Sequence, residues 1–332
     1  MATLAQALQQ ALTALQHSDS DSKRLDAEVL LAHVLGKPRS YLHAWPDAQL
    51  QQQQLARYRQ LVAQRARGEP VAYLTGRREF WSLEFEVSRA TLIPRPETEL
   101  LVEQALAGLP GERPLRVADL GTGSGAVAVV LARQRKRWQV FATDRCGAAV
   151  KIARRNAARL QAPGIAFVVA DWCAAFADCS LDAIVSNPPY VAEQDPHLAQ
   201  GDVRFEPRTA LAAGAQGLDD LARLIQDAAR VLKAGGWLFL EHGAGQSAAV
   251  RALLDGMDYA GWLKDNSASL ATAERRIENV DELIGWLDSL SRDDKKGEAN
   301  ADGPARKGVL GDMVAHLSLL DVLERQEEEE GG

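Results

Sequence analysis

The residues best suited to chemistry in this sequence form a short motif, Asn187-Pro188-Pro189-Tyr190, directly after the apolar run Ala183-Ile184-Val185. Proline fixes its own φ angle and pushes the preceding residue out of the helical region, so Asn187 is predicted to end a strand. The side-chain carbonyl of Asn187 and the backbone carbonyl of Pro188 can accept hydrogen bonds, and Tyr190 offers a flat face for stacking. The motif therefore suits a planar –NH2 group, although a plain proline turn between strand and loop would also explain it.

A glycine-rich turn, Asp119-Leu120-Gly121-Thr122-Gly123-Ser124-Gly125, stands earlier in the chain. Glycines let a backbone approach a ligand closely and adopt positive φ angles. With Ala126 in the sixth position the turn also fits the looser dinucleotide motif, so by itself it leaves NAD open. Asp119 would repel a pyrophosphate but suits a ligand that carries an ammonium group.

Two more acidic positions are predicted at the ends of strands, Asp144 and the pair Asp171-Trp172. A carboxylate at the position of Asp144 can accept hydrogen bonds from both hydroxyls of a ribose. Asp171 can accept a hydrogen bond from an adenine amino group while the indole of Trp172 packs on the ring. Each acid alone could also serve as a helix cap or a turn residue.

The elements that must position these residues alternate between strand and helix. Strands are predicted at 115–120, 139–143, 165–169, 182–186 and 236–241, with helices near 124–133, 147–160 and 218–233. This alternation is typical of an α/β fold with a parallel sheet and crossover helices. Ligands of such sheets bind at the carboxyl ends of the strands, which is where all the polar motifs above are predicted to lie.

The chain before this sheet has a different pattern. Residues 1–75 show helical periodicity in three amphipathic runs, and residues 76–93 change to the period of a β-hairpin. The segment from Leu92 to Glu99 contains Pro94 and Pro96 and reads as a stiff loop that enters a helix at Glu97. A loop so constrained could also form the wall of a pocket.

Taken together, the glycine turn, Asp144, Asp171 and the Asn187 motif resemble the class I S-adenosylmethionine-dependent methyltransferases. Three further segments, Pro70 to Gly76, Leu92 to Glu99 and Glu206-Pro207, resemble the release factor glutamine methyltransferases of the HemK/PrmC family. The resemblance covers about residues 1–254. It implies a Rossmann-like sheet, S-adenosyl-L-methionine as cofactor, and class-1 peptide chain release factors as protein substrates, methylated at N5 of the glutamine in their Gly-Gly-Gln loop.

The resemblance also implies roles for individual residues. The cofactor would be bound by Asp119, Gly121, Thr122, Gly123, Ser124, Gly125, Asp144, Asp171, Trp172 and Asn187. Asn187, Pro188, Pro189 and Tyr190 would bind the substrate amide, and Asn187, Pro188 and Tyr190 among them would serve catalysis. No general base stands out, and orientation of the amide nitrogen would supply much of the rate.

Beyond residue 254 the family resemblance ends. From about residue 257 to 332 the chain resembles an internal segment of Rep/UvrD-type DNA helicases, without a phosphate-binding glycine motif for ATP. The predicted domains are 1–75, a helical substrate-docking domain; 76–114, a hairpin and linker; 115–254, the methyltransferase domain; and 255–332, an acidic, partly disordered helical segment. The closing strands of the sheet are predicted to be missing, which would expose the edge of strand 236–241. A gene fusion, a rearrangement or a sequence-assembly artefact would each produce this pattern.

Charge and composition limit the remaining function classes. Residues 1–254 carry 29 basic and 26 acidic side chains, whereas residues 255–332 carry 9 and 19. So small a basic excess argues against direct nucleic-acid binding, although adenine-N6 DNA or RNA methyltransferases use a similar tetrapeptide and stay open as an alternative. A cofactor-binding but inactive fusion protein is the other alternative. Three scattered cysteines, no metal-ligand spacing, no membrane span and no leader predict a cytoplasmic protein without a metal site, and we expect it to be a monomer.

Overall fold

The computed structural model describes residues 2–256. The predictions for residues 257–332, which include the helicase-like segment and the missing closing strands, lie outside this range. The described chain begins with five helices: α1 Leu4–Leu15, α2 Lys23–Leu35, α3 Arg39–Ala44, α4 Gln52–Ala66 and α5 Val71–Thr75. The three longest of these are the helices that the periodicity predicts.

The N-terminal helices share a core of their own. Helix α1 begins at a capping box in which the Thr3 side chain accepts from the backbone of Gln6 while the Gln6 side chain accepts from Thr3. Leucines from α1, α2 and α4 are fully buried against one another, and the hydroxyl of the buried Tyr58 donates to the carbonyl of Ala27 at 3.0 Å. Helix α2 ends at Gly36 in the left-handed conformation, which is the predicted stop.

A β-hairpin and a helix connect this helical part to the sheet. Strands β1 Arg77–Phe80 and β2 Leu83–Glu86 pair antiparallel. Helix α6 Thr98–Gly108 follows the proline-containing loop, with Glu97 as its N-cap residue. Both elements were predicted, and Phe80 and Phe85 anchor the hairpin in the same core as α6 and the sheet.

The predicted parallel sheet is confirmed. Its strands are β3 Arg116–Leu120, β4 Gln139–Asp144, β5 Ile165–Val169, β6 Leu181–Ser186 and β7 Leu232–Leu240, in the spatial order β5-β4-β3-β6-β7. The helices between and after them are α7 Ala126–Gln134, α8 Gly147–Arg159, α9 Asp219–Val231 and α10 Ser247–Gly256. All four strand pairs are parallel, so every carboxyl end lies at one edge of the sheet.

The register brings the polar motifs together at that edge. Leu120 at the end of β3 lies opposite Thr143 of β4 on one side and Ser186 of β6 on the other. The hydroxyl of Ser186 also donates to the Leu120 carbonyl at 2.7 Å. The glycine turn after β3 therefore lies between Asp144 and Asn187, at the point where the strand order reverses and ligands bind in folds of this class.

Strand β7 is longer than the sequence predicts. It begins at Leu232 rather than at residue 236, because Leu232 pairs with Leu181 before a shift in register. The shift occurs around Gly235, whose φ angle is 71°, and helix α9 accordingly ends at Val231, two residues before the predicted end. Within residues 2–256 no helix is long and apolar enough to cross a membrane.

Candidate active site

A cavity of about 320 Å³ opens at the carboxyl edge of the sheet. Most of the predicted site residues line it, namely Asp119, Gly121, Thr122, Gly123, Ser124, Asp144, Asp171, Trp172, Asn187 and Pro189. The opposite wall comes from the stiff loop and the start of α6, with Leu92, Pro94, Arg95 and Thr98. The prediction that this loop walls a pocket is thus confirmed.

The backbone of the glycine turn lines the cavity at close quarters, in conformations that favour glycine. Gly121 and Gly123 have φ angles of 74° and 54°, which side chains rarely allow. A Cβ atom at Gly121 would lie 3.3 Å from the ring of Trp172, so a side chain would fill the space between turn and indole. The backbone N–H of Thr122 donates to the Thr143 carbonyl at 2.8 Å and ties the turn to β4.

Asp119 is a buried carboxyl beneath this turn. Its Oδ2 accepts from the Thr122 hydroxyl at 2.6 Å and from the Ala128 N–H at 3.0 Å. Burial, with a smaller contribution from the nearby Asp144, raises the pKa of Asp119 to about 7, although the two hydrogen bonds oppose the shift. The group is therefore poised between its neutral and ionised forms, which suits a cationic ligand.

Asp144 presents its carboxylate at the end of β4. Oδ2 accepts from the Gly123 N–H at 2.9 Å and Oδ1 from the Cys146 N–H at 2.8 Å. Burial raises the pKa of Asp144, and these two hydrogen bonds oppose the rise. Because each carboxylate oxygen can accept more than one hydrogen bond, both retain capacity for a pair of neighbouring hydroxyls, as in a ribose.

Trp172 and Asp171 form the end of the cavity beyond Gly121. Trp172 is held at a φ angle of 43°, and its Nε1 donates to Asp220 at 3.2 Å, so the indole is anchored by its polar edge. Asp171 lies 2.7 Å from Arg223, which pairs one of its oxygens. A flat ring beside a carboxylate with one oxygen left to accept fits a purine with an exocyclic amino group.

Asn187 follows β6 directly, as predicted from the proline pair. Its Nδ2 donates to the hydroxyl of Thr98 at 3.0 Å, which leaves Oδ1 available as an acceptor. Pro189 lines the cavity, whereas Pro188 and Tyr190 do not. The Tyr190 hydroxyl instead donates to Glu241 Oε1 at 3.0 Å, so the stacking of Tyr190 on a substrate amide stays a prediction.

Gly125 packs against helix α8 and does not line the cavity. It is absent from the cavity lining, and a Cβ atom there would lie 2.9 Å from the Cβ of Ala153 on α8. Its φ angle of 81° starts helix α7. The structure thus gives this glycine a packing contact between α7 and α8, and its predicted contact with the cofactor stays a prediction.

Three residues near the cavity were not singled out individually from the sequence: Thr98, Glu206 and Glu241. The fully buried side chain of Glu206 accepts from the Ile93 N–H at 2.9 Å and pairs with Arg95, which braces the stiff loop. Glu241 follows β7 at the same sheet edge as the other acids. An acid directly after an apolar strand is the signal that would have revealed it. Among the described residues no group of three or more His, Cys, Asp or Glu side chains is arranged to hold a metal ion.

Comparisons with known proteins agree with this geometry. The family model for the PrmC N-terminal domain matches residues 6–76, and that for the methyltransferase small domain matches residues 96–204. The release factor glutamine methyltransferase of Escherichia coli K12 is 51% identical over 244 residues, which cover 74% of this chain and 87% of the relative. That of Vibrio cholerae is 49% identical over 261 residues, 77% of this chain and 90% of the relative. The chain belongs to the release factor glutamine methyltransferase family and is an S-adenosyl-L-methionine-dependent methyltransferase.

Proposed function

We propose that this enzyme methylates the side-chain amide nitrogen of the glutamine in the Gly-Gly-Gln loop of class-1 peptide chain release factors, which yields N5-methylglutamine. The observation that carries the proposal is the anchored amide of Asn187. Its Nδ2 is held by Thr98, so that Oδ1 is left to accept a hydrogen bond from a substrate nitrogen beside the cofactor residues. The names and high identity of the relatives support the same substrate.

The residues of the cavity fit the cofactor from end to end. Asp119 would face the ammonium group of its amino-acid end, and Gly121, Thr122, Gly123 and Ser124 would line that end. Asp144 would hold the ribose hydroxyls, and Asp171 with Trp172 would bind the adenine. When bound, S-adenosyl-L-methionine supplies an electrophilic methyl group on a sulfonium sulfur.

The task left to the protein is to make a poor nucleophile attack. An amide nitrogen is weakly nucleophilic because its lone pair is delocalised into the carbonyl. Asn187 Oδ1 and the Pro188 carbonyl would accept hydrogen bonds from its two N–H groups and thereby aim the lone pair along the line of transfer. Holding both reactants in this geometry would raise the rate of methyl transfer through proximity and orientation. The amide proton can leave to water after transfer, so the proposal assigns no general base.

The test is incubation of the full-length chain with methyl-labelled cofactor and a class-1 release factor, followed by mass spectrometry of the labelled peptide. We expect label on the glutamine of the Gly-Gly-Gln loop and none on a release factor in which that glutamine is replaced by alanine. Asn187→Ala should lower the rate by ~10²-fold or more, because an acceptor aligned in the transition state is lost.

The same assay with duplex DNA and RNA in place of the release factor tests the adenine-N6 alternative, which the shared tetrapeptide keeps in view. Label on nucleic acid alone would contradict the proposal. Absence of label on every substrate, with cofactor binding retained, would favour an inactive fusion protein.

A further inference from the structure

We propose that Thr98 and Glu241 are positioning residues that determine which way the Asn187 amide faces, so that Oδ1 and not Nδ2 meets the substrate nitrogen. The inference rests on the proposed function, because it concerns the amide that this function places against the substrate. Neither residue is assigned a role by the motifs described above. Their contacts connect three separate elements: the start of α6, the end of β6 and the end of β7.

Thr98 lies at the centre of this group. It is the first residue of α6 and is only 6% exposed. Its Oγ1 accepts from Asn187 Nδ2 at 3.0 Å, and both Thr98 and Asn187 lie close enough to the carboxyl of Glu241 to lower its pKa by hydrogen bonding. The hydroxyl therefore lies between an amide and a carboxyl.

Glu241 is held in place from two sides. Its backbone N–H donates to the Ser186 carbonyl at 3.0 Å, which fixes it beside the end of β6. Its Oε1 accepts from the Tyr190 hydroxyl at 3.0 Å. Its Oε2 is buried and has no partner of regular hydrogen-bond geometry among the described residues, so the carboxyl retains accepting capacity inside the group.

The chemistry of these three groups allows one arrangement only. An ionised carboxylate accepts hydrogen bonds and donates none, so the Thr98 hydroxyl and the Asn187 amide, which both act on the carboxyl of Glu241 with its otherwise unpaired Oε2, can face it only with an O–H or an N–H group. The lone pairs of the hydroxyl can then only accept, and of the two ends of the Asn187 amide only Nδ2 can donate to them. A flipped amide would set Oδ1 against an oxygen lone pair and leave the buried Thr98 hydroxyl without this donor. Oδ1 is thereby turned away from Thr98.

Protonation of Glu241 removes this constraint, since a carboxylic acid can donate as well as accept. Burial raises the pKa of Glu241, hydrogen bonds from Thr98, Tyr190 and Asn187 oppose the rise, and the charge of Glu97 at the start of α6 adds to it. The charge of Arg95 acts on the neighbouring Tyr190, where it opposes the rise that burial causes in the pKa of the Tyr190 hydroxyl. His242, the next residue in the chain, faces the Gly243 carbonyl at 3.0 Å. We therefore expect activity to decline as the pH falls through the raised pKa of Glu241.

The experiment compares Thr98→Val, Thr98→Ser and Glu241→Gln with the wild-type full-length chain in the release factor assay. Valine keeps the shape of threonine without its hydroxyl, and serine keeps the hydroxyl. We expect Thr98→Val to lower kcat by on the order of 10- to 100-fold, the cost of a misplaced reacting group, and Thr98→Ser to restore it to within a few-fold. The Kd of the cofactor, measured by calorimetry, and the melting temperature should change little in both.

Glu241→Gln gives an independent readout through the pH profile of kcat. The wild type should lose activity on the acidic side, and the variant, which cannot titrate at this position, should lose that acidic limb together with part of its rate. This profile decides the matter if Thr98→Val fails to fold.

Unchanged kcat in Thr98→Val, no rescue by Thr98→Ser, or an unchanged acidic limb in Glu241→Gln would overturn the inference while leaving the proposed function standing. A wild-type enzyme that labels no release factor would overturn both.

Discussion

Asp119 and Asp144 line one cavity, yet they differ in what they can offer a ligand. Asp144 is fixed by two backbone N–H groups and faces the cavity as an acceptor for hydroxyls. Asp119 is more deeply buried, and its pKa of about 7 means that it binds a proton over much of the acidic range. A carboxyl of this kind responds to a cationic ligand by releasing its proton, since a neighbouring positive charge favours the ionised form.

This difference predicts the pH dependence of cofactor binding. Below pH 7 the free protein carries a proton on Asp119 that the cofactor's ammonium group would displace, so the affinity for S-adenosyl-L-methionine should rise with pH between about 5.5 and 7.5, by at most about tenfold per pH unit. Calorimetry in buffers with different ionisation enthalpies should show proton release over the same range.

Asp119→Asn is the matched control for that prediction, because asparagine can keep an acceptor for Thr122 and Ala128 but does not titrate. We expect weaker binding and a flat pH dependence in this variant. An equally steep dependence in wild type and variant would place the ammonium group elsewhere.

At the scale of elements, most of the sheet could be predicted because its strands are short apolar runs between clear turn signals, and their order along the chain implies parallel pairing. The start of β7 was missed because Leu232 is extended only through its pairing with Leu181, a contact with a residue far away in the sequence. For the same reason the contact of Thr98 with the site could not be predicted. Its partner Asn187 stands 89 positions further on, and nothing near Thr98 in the chain announces that contact. Asp119, Asp144 and Asn187 could be predicted because each lies at the carboxyl end of its own strand or directly after it.

Gly125 shows that the third glycine of the turn serves the helices. Gly125→Ala combines a positive φ angle with a Cβ atom 2.9 Å from that of Ala153, and neither backbone can easily move. We expect the free energy of unfolding to fall by about 2–4 kcal/mol, the sum of backbone strain and overpacking. Denaturant unfolding of the purified variant measures this loss.

Gly164→Ala is the matched control for the packing contribution. Gly164 has nearly the same φ angle, 84°, but no atom lies within 4 Å of its Cβ position. It should therefore cost only the strain, about 1–2 kcal/mol. Equal losses of unfolding free energy in the two variants would show that the close approach of α7 and α8 at Gly125 adds no packing cost.

At the scale of the whole molecule, one arginine links the N-terminal helices to the cavity wall. Arg65 of α4 is buried and lies 2.6 Å from Asp26 of α2 and 2.6 Å from Asp202. Asp202 begins the short segment that carries Glu206, and Glu206 braces the loop around Ile93 and Arg95. The helical part of the chain is thus fastened to the same segment that shapes the site.

Arg65→Ala should therefore lower the free energy of unfolding substantially. It would leave Asp26 buried, with hydrogen bonds from Ser20 and Ser22 but without its opposite charge, at a cost of about 3 kcal/mol or more. Thermal unfolding of the full-length chain measures the effect. Arg59→Ala on the same helix, where the exposed side chain contacts only Gln10 among described hydrogen-bond partners, should change stability by less than about 0.5 kcal/mol. Similar melting temperatures for the two variants would contradict the role of Arg65.

We expect that residues can be added to or removed from this chain outside the strands without disturbing the site, because the pairing of Leu120 with Ser186 fixes the end of β6 beside the end of β3. A residue inserted in the turn around Gly164 lies at the far end of β5, and the strand ends that carry Asp144 and Asn187 keep their places. A residue inserted inside β6 would turn every following side chain to the opposite face of the sheet. Asn187 would then point away from Thr98 with its motif intact. We therefore expect the number of residues between the glycine turn and Asn187 to differ between related chains, provided that the strands themselves keep their length.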